Sequence, residues 1–282
     1  MPNQKVRVII CSDVGNEADD QFAIVQALLT KRIVVKGMVA GFFNEANSVE
    51  KAFKKMVAIS KLTNMDFPIK KGASSPGWKL TKGAQLLIEE SLKRSTFPLY
   101  IVCLGGLTDL ATAIAENPKI VQMIHVIWVG GGRYPSGSHE ANVARDIEAA
   151  NFVMKSGCDI WQIPSNAYKE MRVSTSFLKL ELSNSGEVSK FLYNEILEFE
   201  KNHYQDKPWI NDESWVLGDS AAIGVLLDEQ KGNYSMVDTP FFGDDFKYRF
   251  EKGSKKIRVY HHIDRDLILM DLISKLKLFE HR

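Results

Sequence analysis

The chain has 282 residues, 45% of them apolar, and a formal net charge of +1 with basic and acidic side chains interspersed. This fits a soluble globular protein with one large α/β core or two medium domains, and excludes a basic nucleic-acid-binding stripe, a disordered chain and a membrane-spanning helix. Cys11, Cys103 and Cys158 lack CxxC spacing and lie in or beside apolar runs, so buried free thiols are expected rather than disulfides or a zinc site. Met1-Pro2-Asn3-Gln4-Lys5 carries no secretory apolar segment, which makes a reducing, cytoplasmic setting the expectation.

In chain order, short β-branched runs alternate with helical patterns. Strand Val6 to Ile10 is followed by a helix over Asp20 to Leu29, strand Val34 to Val39 by a helix over Val49 to Leu62, and strand Leu99 to Leu104 by a helix over Leu107 to Glu116. Strand Val126 to Val129 ends in Gly130-Gly131-Gly132, and Ile147 to Ser156 again reads as helix. The alternation predicts an open, mostly parallel sheet with helices on both faces, where ligands bind outside the carboxyl ends of the strands. A long charged amphipathic helix, Gly186 to Lys201, dominates 174–209 and reads as an insertion or cap over the site. No repeat or linker interrupts the chain, so 1–282 is read as a single domain.

Four polar clusters fall at such strand ends. The first is Asp13-Val14-Gly15-Asn16-Glu17-Ala18-Asp19-Asp20, four acids in one strand-to-helix turn. Acids this close raise one another's pKa unless a cation or a polyhydroxyl ligand compensates, and Ca2+, which takes about six to eight oxygen ligands, is the natural compensator. Helix capping by Asp13 and dipole effects at Asp19 and Asp20 explain one or two of the four. The second, Leu104-Gly105-Gly106-Leu107-Thr108-Asp109, allows close backbone approach to a ligand or is a plain turn capped by Thr108 or Asp109. The third joins the triple glycine to Glu140-Ala141-Asn142-Val143-Ala144-Arg145-Asp146, without the Lys-Ser/Thr of a phosphate loop. In the fourth, Trp215 to Ala222, Asp219 opens an apolar helix and reads alone as an N-cap.

In this order the clusters resemble the inosine-uridine-preferring nucleoside hydrolase superfamily, whose members open with a strand and Asp-x-Asp-Pro-Gly-x-Asp-Asp. Here Cys11 to Asp20 is similar to that turn with two residues inserted and the first Asp replaced by Cys11, in the form of a divergent branch. Family-like too are Pro68 to Ala73, the Gly-Gly-Leu-Thr-Asp step, the triple glycine, Glu140-x-Asn142 with Asp146, and Val259 to Arg265. The resemblance implies an N-ribosyl hydrolase that uses Ca2+, with Asp13 as metal ligand and general base, Asp20 and Asp219 as ligands, and Leu104 donating a main-chain carbonyl. It further implies that Asp19, Glu140 and Asn142 bind ribose hydroxyls, and that the protein is a homodimer or homotetramer acting on a small nucleoside or glycoside, with neither nucleic acid nor membrane as partner.

The departures from the family pattern concern the base side. A histidine that in one subgroup protonates the leaving base is Gly218 here, leaving the general acid unassigned; His139, in a glycine- and serine-containing loop beside Glu140, is the candidate. Where an asparagine often follows the second strand stands Phe42, with Asn44 as a stand-in, and a His-Gly-x-Asp-Gly loop is missing. Trp209 and Trp215 are candidates for stacking on a base or for core packing. His261-His262 carries no metal spacing and reads as structural. The alternatives are hydrolysis of another ribosyl or glycosyl compound at the same site and a catalytically silent sugar-binding homologue.

Overall fold

A computed structural model describes residues 5–205, 207, 209–210 and 213–281; Met1 to Gln4 lie outside the described residues. The elements run β1 (Val6–Ser12), α1 (Asp19–Leu29), β2 (Ile33–Ala40), α2 (Ser48–Leu62), β3 (Ile69–Lys71), α3 (Lys82–Leu92), β4 (Leu99–Cys103) and α4 (Thr108–Glu116). Next come β5 (Ile124–Val129), α5 (Ala141–Arg145), α6 (Ile147–Lys155), β6 (Asp159–Ile163), α7 (Ser165–Tyr168), β7 (Arg172–Ser174), α8 (Thr175–Leu182) and α9 (Glu187–His203). The rest is β8 (Ser214–Val216), α10 (Ser220–Leu227), β9 (Tyr234–Asp238), β10 (Pro240–Phe242), β11 (Tyr248–Phe250), β12 (Lys256–Tyr260) and α11 (Arg265–Glu280).

One sheet of eight strands runs in the order β3-β2-β1-β4-β5-β6-β12-β9, parallel throughout except for β9, which pairs antiparallel with β12. β1 shows why its sequence is an unbroken apolar run. Val6, Val8 and Ile10 join the core on one face, while Ile9 and Cys11 join the core on the other, because successive side chains of a strand point oppositely and both faces are covered by helices. The first core is filled by α1, α2, α10 and α11, and the second by α3, α4 and α6. All three cysteines are free and buried, as expected.

Strands are added outward from β1 to β3 on one side and from β4 to β6 on the other. The loops leaving β1 and β4 therefore diverge, opening a crevice at the carboxyl ends of the sheet. α9 reaches this edge as well: Glu195 accepts from Gln21 Nε2 at 2.8 Å and pairs with Lys55, so the predicted cap borders the acid turn. Among the described residues no helix is long and apolar enough to cross a membrane.

Candidate active site

The crevice is lined by Asp13, Glu17, Asp19 and Asp20 from the first turn, Leu104 after β4, Glu140 and Asn142 at the start of α5, Tyr168 of α7, and Asp219 before α10. Gly15, at φ +99°, turns the chain in a conformation that L side chains resist. Ser12 Oγ then donates to Asp20 Oδ1 at 2.5 Å while accepting from Val14 N at 3.0 Å, which pins the start of α1 to the strand. Across the crevice Asp219 N donates to Asp19 Oδ2 at 3.2 Å. Carboxylate oxygens of Asp19, Asp20 and Asp219 come within 4.8 Å of one another.

Helix capping does not account for these acids. The N-cap position of α1 is Ala18 and has no side-chain capping bond, and Asp219, at the N-cap position of α10, makes none either. Other acids of the same motifs are spent structurally. Asp109 accepts from Ala73 N and from Thr81 Oγ1 (2.6 Å), and Asp146 caps α6 through Ala149 N while accepting from Thr108 Oγ1 (2.8 Å). For Asp20, burial and then the charges of Asp13 and Asp19 push the carboxyl well above its ordinary range; for Asp219, burial and then Asp19 and Asp20 do the same. Burial raises Asp19 to about 6. Glu17, raised to about 7 by burial and by Asp19, was counted among the four acids of the turn but given no role of its own.

Asp13 stands beside this cluster with one of its oxygens engaged by an arginine. Its Oδ2 accepts from Arg145 Nη2 at 3.1 Å and Nε at 3.3 Å, and both residues are buried. A Cβ on Gly105 would lie 2.7 Å from Asp13 Oδ1, and one on Gly106 would lie 2.8 Å from Arg145 Cβ. The glycine pair thus makes room for the carboxylate and for the arginine stem. Burial raises Asp13 while Arg145 pulls it down. Asp13, Asp20, Leu104 and Asp219, grouped from the sequence, line one crevice; Asp19 lies in the tight carboxylate cluster as well, and one oxygen of Asp13 pairs with Arg145.

Asn142 Nδ2 donates at 2.8 Å to both the Leu104 and the Val129 carbonyls, so its Oδ1 and one lone pair of the Leu104 oxygen remain for a ligand. Glu140 is the N-cap of α5: Oε1 accepts from Asn142 N (3.1 Å), and Oε2 from Val143 N (3.1 Å) and Gly131 N (2.9 Å). The triple glycine serves this geometry and makes close packing possible, since Cβ atoms on Gly130 and Gly131 would collide with Trp128 and Tyr248.

Three predicted residues are not brought to the crevice. His139 is exposed, its ring edge-on to Phe246 at 4.8 Å, so a proton-donor role has no geometric support. Asn44 is exposed in the loop after β2. Trp215 is 2% exposed and packs against Phe199 and Trp209, which makes it core; Trp209, 45% exposed, stacks outside it. His262 pairs with Glu170 at 2.8 Å, in keeping with a structural role. The crevice residue that sequence reading missed is Tyr168, whose ring fills the space beside Gly218.

Comparison with known proteins supports the same assignment. The chain is 27% identical to uridine nucleosidase 1 of Arabidopsis thaliana, over 84% of this chain and 75% of that protein. It is 24% identical to the non-specific ribonucleoside hydrolase RihC of Escherichia coli, over 67% of this chain and 72% of that protein. Its fold superposes on a purine-preferring ribonucleoside hydrolase from Gardnerella vaginalis with TM-score 0.80 at 18% identity, covering 97% and 99% of the two chains. A plant nucleoside hydrolase gives 0.78 at 20% identity, covering 98% and 99%. The family model for inosine-uridine preferring nucleoside hydrolase matches residues 8–266, and with the acid crevice at the β1/β4 ends the chain belongs to that family.

Proposed function

We propose that the protein hydrolyses the N-glycosidic bond of a ribonucleoside to ribose and free base. The observation that carries this reading is the trio Asp19, Asp20 and Asp219, largely buried, clustered, unspent on capping and sharing one crevice with Asp13. An all-oxygen donor set with surplus negative charge fits a hard divalent cation such as calcium. Asp20, Asp219, Asp19 and the Leu104 carbonyl would hold it, and it would supply an acidified water.

The chain's own groups do the rest. Asp13, paired with Arg145, accepts the proton of the attacking water. The half-buried Asp19, the Oδ1 of Asn142 and the remaining lone-pair site of Glu140 accept hydroxyl hydrogens of the sugar. The carboxylates around the ring stabilise the positive charge that develops as the glycosidic bond lengthens. Glu140, fixed by three backbone N–H groups, is preorganised for this.

The experiment is ribose release from a panel of purine and pyrimidine nucleosides, with calcium and with chelator. Release abolished by chelator supports the reading. A second reading, a sugar binder without turnover, draws on the Asp13–Arg145 pair, because a guanidinium weakens the carboxylate as a base. Ribose binding without release from any substrate, glycosides included, would favour that reading.

A further inference from the structure

Tyr168 holds a position that its own sequence surroundings do not announce. It ends α7, a single turn after β6, and its backbone is tied down on both sides: Tyr168 N donates to Pro164 O at 3.0 Å and Met171 N donates to Tyr168 O at 3.1 Å. Leu217 N in turn donates to Met171 O at 2.9 Å, so the segment that carries Tyr168 is bound to the segment that carries Gly218 and Asp219. The tyrosine ring occupies the volume a side chain at 218 would need, since a Cβ there would lie 2.9 Å from Tyr168 Cδ2. Tyr168 is the one aromatic side chain among the described residues lining the crevice. Its hydroxyl has no hydrogen-bond partner among the described residues, and the side chain is half-buried at the crevice wall.

The other polar side chains of the crevice suit a sugar and a cation: the four carboxylates of the first turn, Glu140, Asp219, the amide of Asn142, whose hydrogens are already committed, and the amide of Asn16 on the acid turn itself. Asn16 apart, they offer acceptors. A departing heterocyclic base asks for the opposite, an aromatic face and a donor for the nitrogen or oxygen that collects the bonding electrons. From this complementarity we infer that Tyr168 is the leaving-group residue, its Oη–H donating a hydrogen bond to the base as the bond breaks. Burial and the surrounding carboxylates Glu140, Glu17, Asp19 and Asp219 disfavour the phenolate, so the donor is kept protonated. The step balances as follows. Water oxygen forms the bond to C1′, the C1′–N electron pair moves onto the base nitrogen, and the water proton passes to Asp13. The base leaves as an anion hydrogen-bonded to Tyr168 and takes its proton from solvent.

This inference rests on the hydrolase reading, and the test separates the two. Uridine, inosine and p-nitrophenyl riboside are hydrolysed by wild type and by Tyr168→Phe, with calcium present, and ribose affinity of each protein is measured by calorimetry. Removing one preorganised donor typically costs about a hundred- to a thousand-fold in kcat. The expected result is a fall in the nucleoside to p-nitrophenyl riboside ratio of kcat by at least roughly tenfold, with ribose affinity unchanged, because nitrophenolate leaves without a donor. Equal losses on all substrates with weakened ribose binding would reassign Tyr168 to the sugar, and no loss on any would remove it from the reaction; either overturns the inference and leaves the hydrolase intact. Wild type inactive on every substrate would overturn both.

Discussion

Loading the acid cluster with calcium should expel protons, and the number follows from the geometry. Two full charges 4.8 Å apart repel by roughly 3.5 kcal/mol at an effective dielectric of about 20, some two and a half pKa units per neighbour. Asp19, Asp20 and Asp219 cannot all ionise near neutrality without a cation. Asp19, at about 6, is largely ionised at pH 7, whereas Asp20 and Asp219 are held well above the carboxylate range by burial and by their neighbours. Cation binding at pH 7 should therefore release between about one and two protons, because carboxylates ligate in the ionised form. Calorimetry of chelator-stripped protein titrated with calcium in two buffers of different ionisation enthalpy reads this number directly. The sign of the linked stability follows from the raised values: the contribution of these groups is complete below their unfolded pKa near 4 and is lost as pH rises through their folded values. Metal-free protein should melt lower at pH 7.5 than at pH 5. Calcium at a hundred times its Kd should restore about 2.7 kcal/mol, on the order of 5–10 °C for a chain this long. No proton release together with no thermal shift in millimolar calcium would refute the argument that the cluster is built for a cation.

Asp13→Asn should keep ribose affinity but lose turnover by about a hundred- to ten-thousand-fold, since the amide cannot take the water proton; full activity in a steady-state assay would require another base. Arg145→Met leaves Asp13 buried without its partner, which should cost roughly 3–5 kcal/mol in urea unfolding. The same change raises the Asp13 pKa, so the acid limb of the pH–rate profile should move to higher pH; a limb that stays put would show that Arg145 does not tune the base. Gly72→Ala places a Cβ 2.0 Å from Asp109 Oδ2 and should destabilise by about 1–3 kcal/mol or more, and an unchanged melting point would mean that the Asp109 junction yields freely.

Much of this was legible in the sequence because it is local. β1, α1, β2, α2, β4, α4 and α6 fall within a residue or two of the predicted bounds, as period-2 and period-3.6 patterns should allow in a doubly covered parallel sheet. α11 was harder to read, because Leu267, Met270 and Leu278 are exposed while Ile268, Leu272 and Leu276 are buried, which blurs its apolar stripe. The site shows the same division. Asp20, Asp219, Leu104, Glu140 and Asn142 were named through the resemblance of their motifs to the family, but the Asp13–Arg145 pair spans 132 residues and leaves no local signal. Tyr168 and Gly218 are fifty residues apart in sequence, and only the fold shows that one fills the space the other leaves.

The acids of this chain sort by what their oxygens already do. Asp109, Asp146 and Glu140 accept backbone N–H or hydroxyl hydrogens, so their negative charge is answered from within the fold. For Asp109 and Asp146 that accounts for the residue; for Glu140 it aligns a carboxylate that still faces the crevice. Asp13 is answered by an arginine, which fixes its direction without removing it from the crevice. Asp20 accepts from Ser12 and Asp19 from the Asp219 amide, but no cation of the fold pairs with these three among the described residues, and they face one another. Buried charge left in that condition lowers stability unless something outside the chain compensates it. On the proposed reading, a fold that keeps three such carboxylates where its strand order opens a crevice offsets that cost with a ligand that brings positive charge, and the proton release on calcium binding is the measurement that decides it.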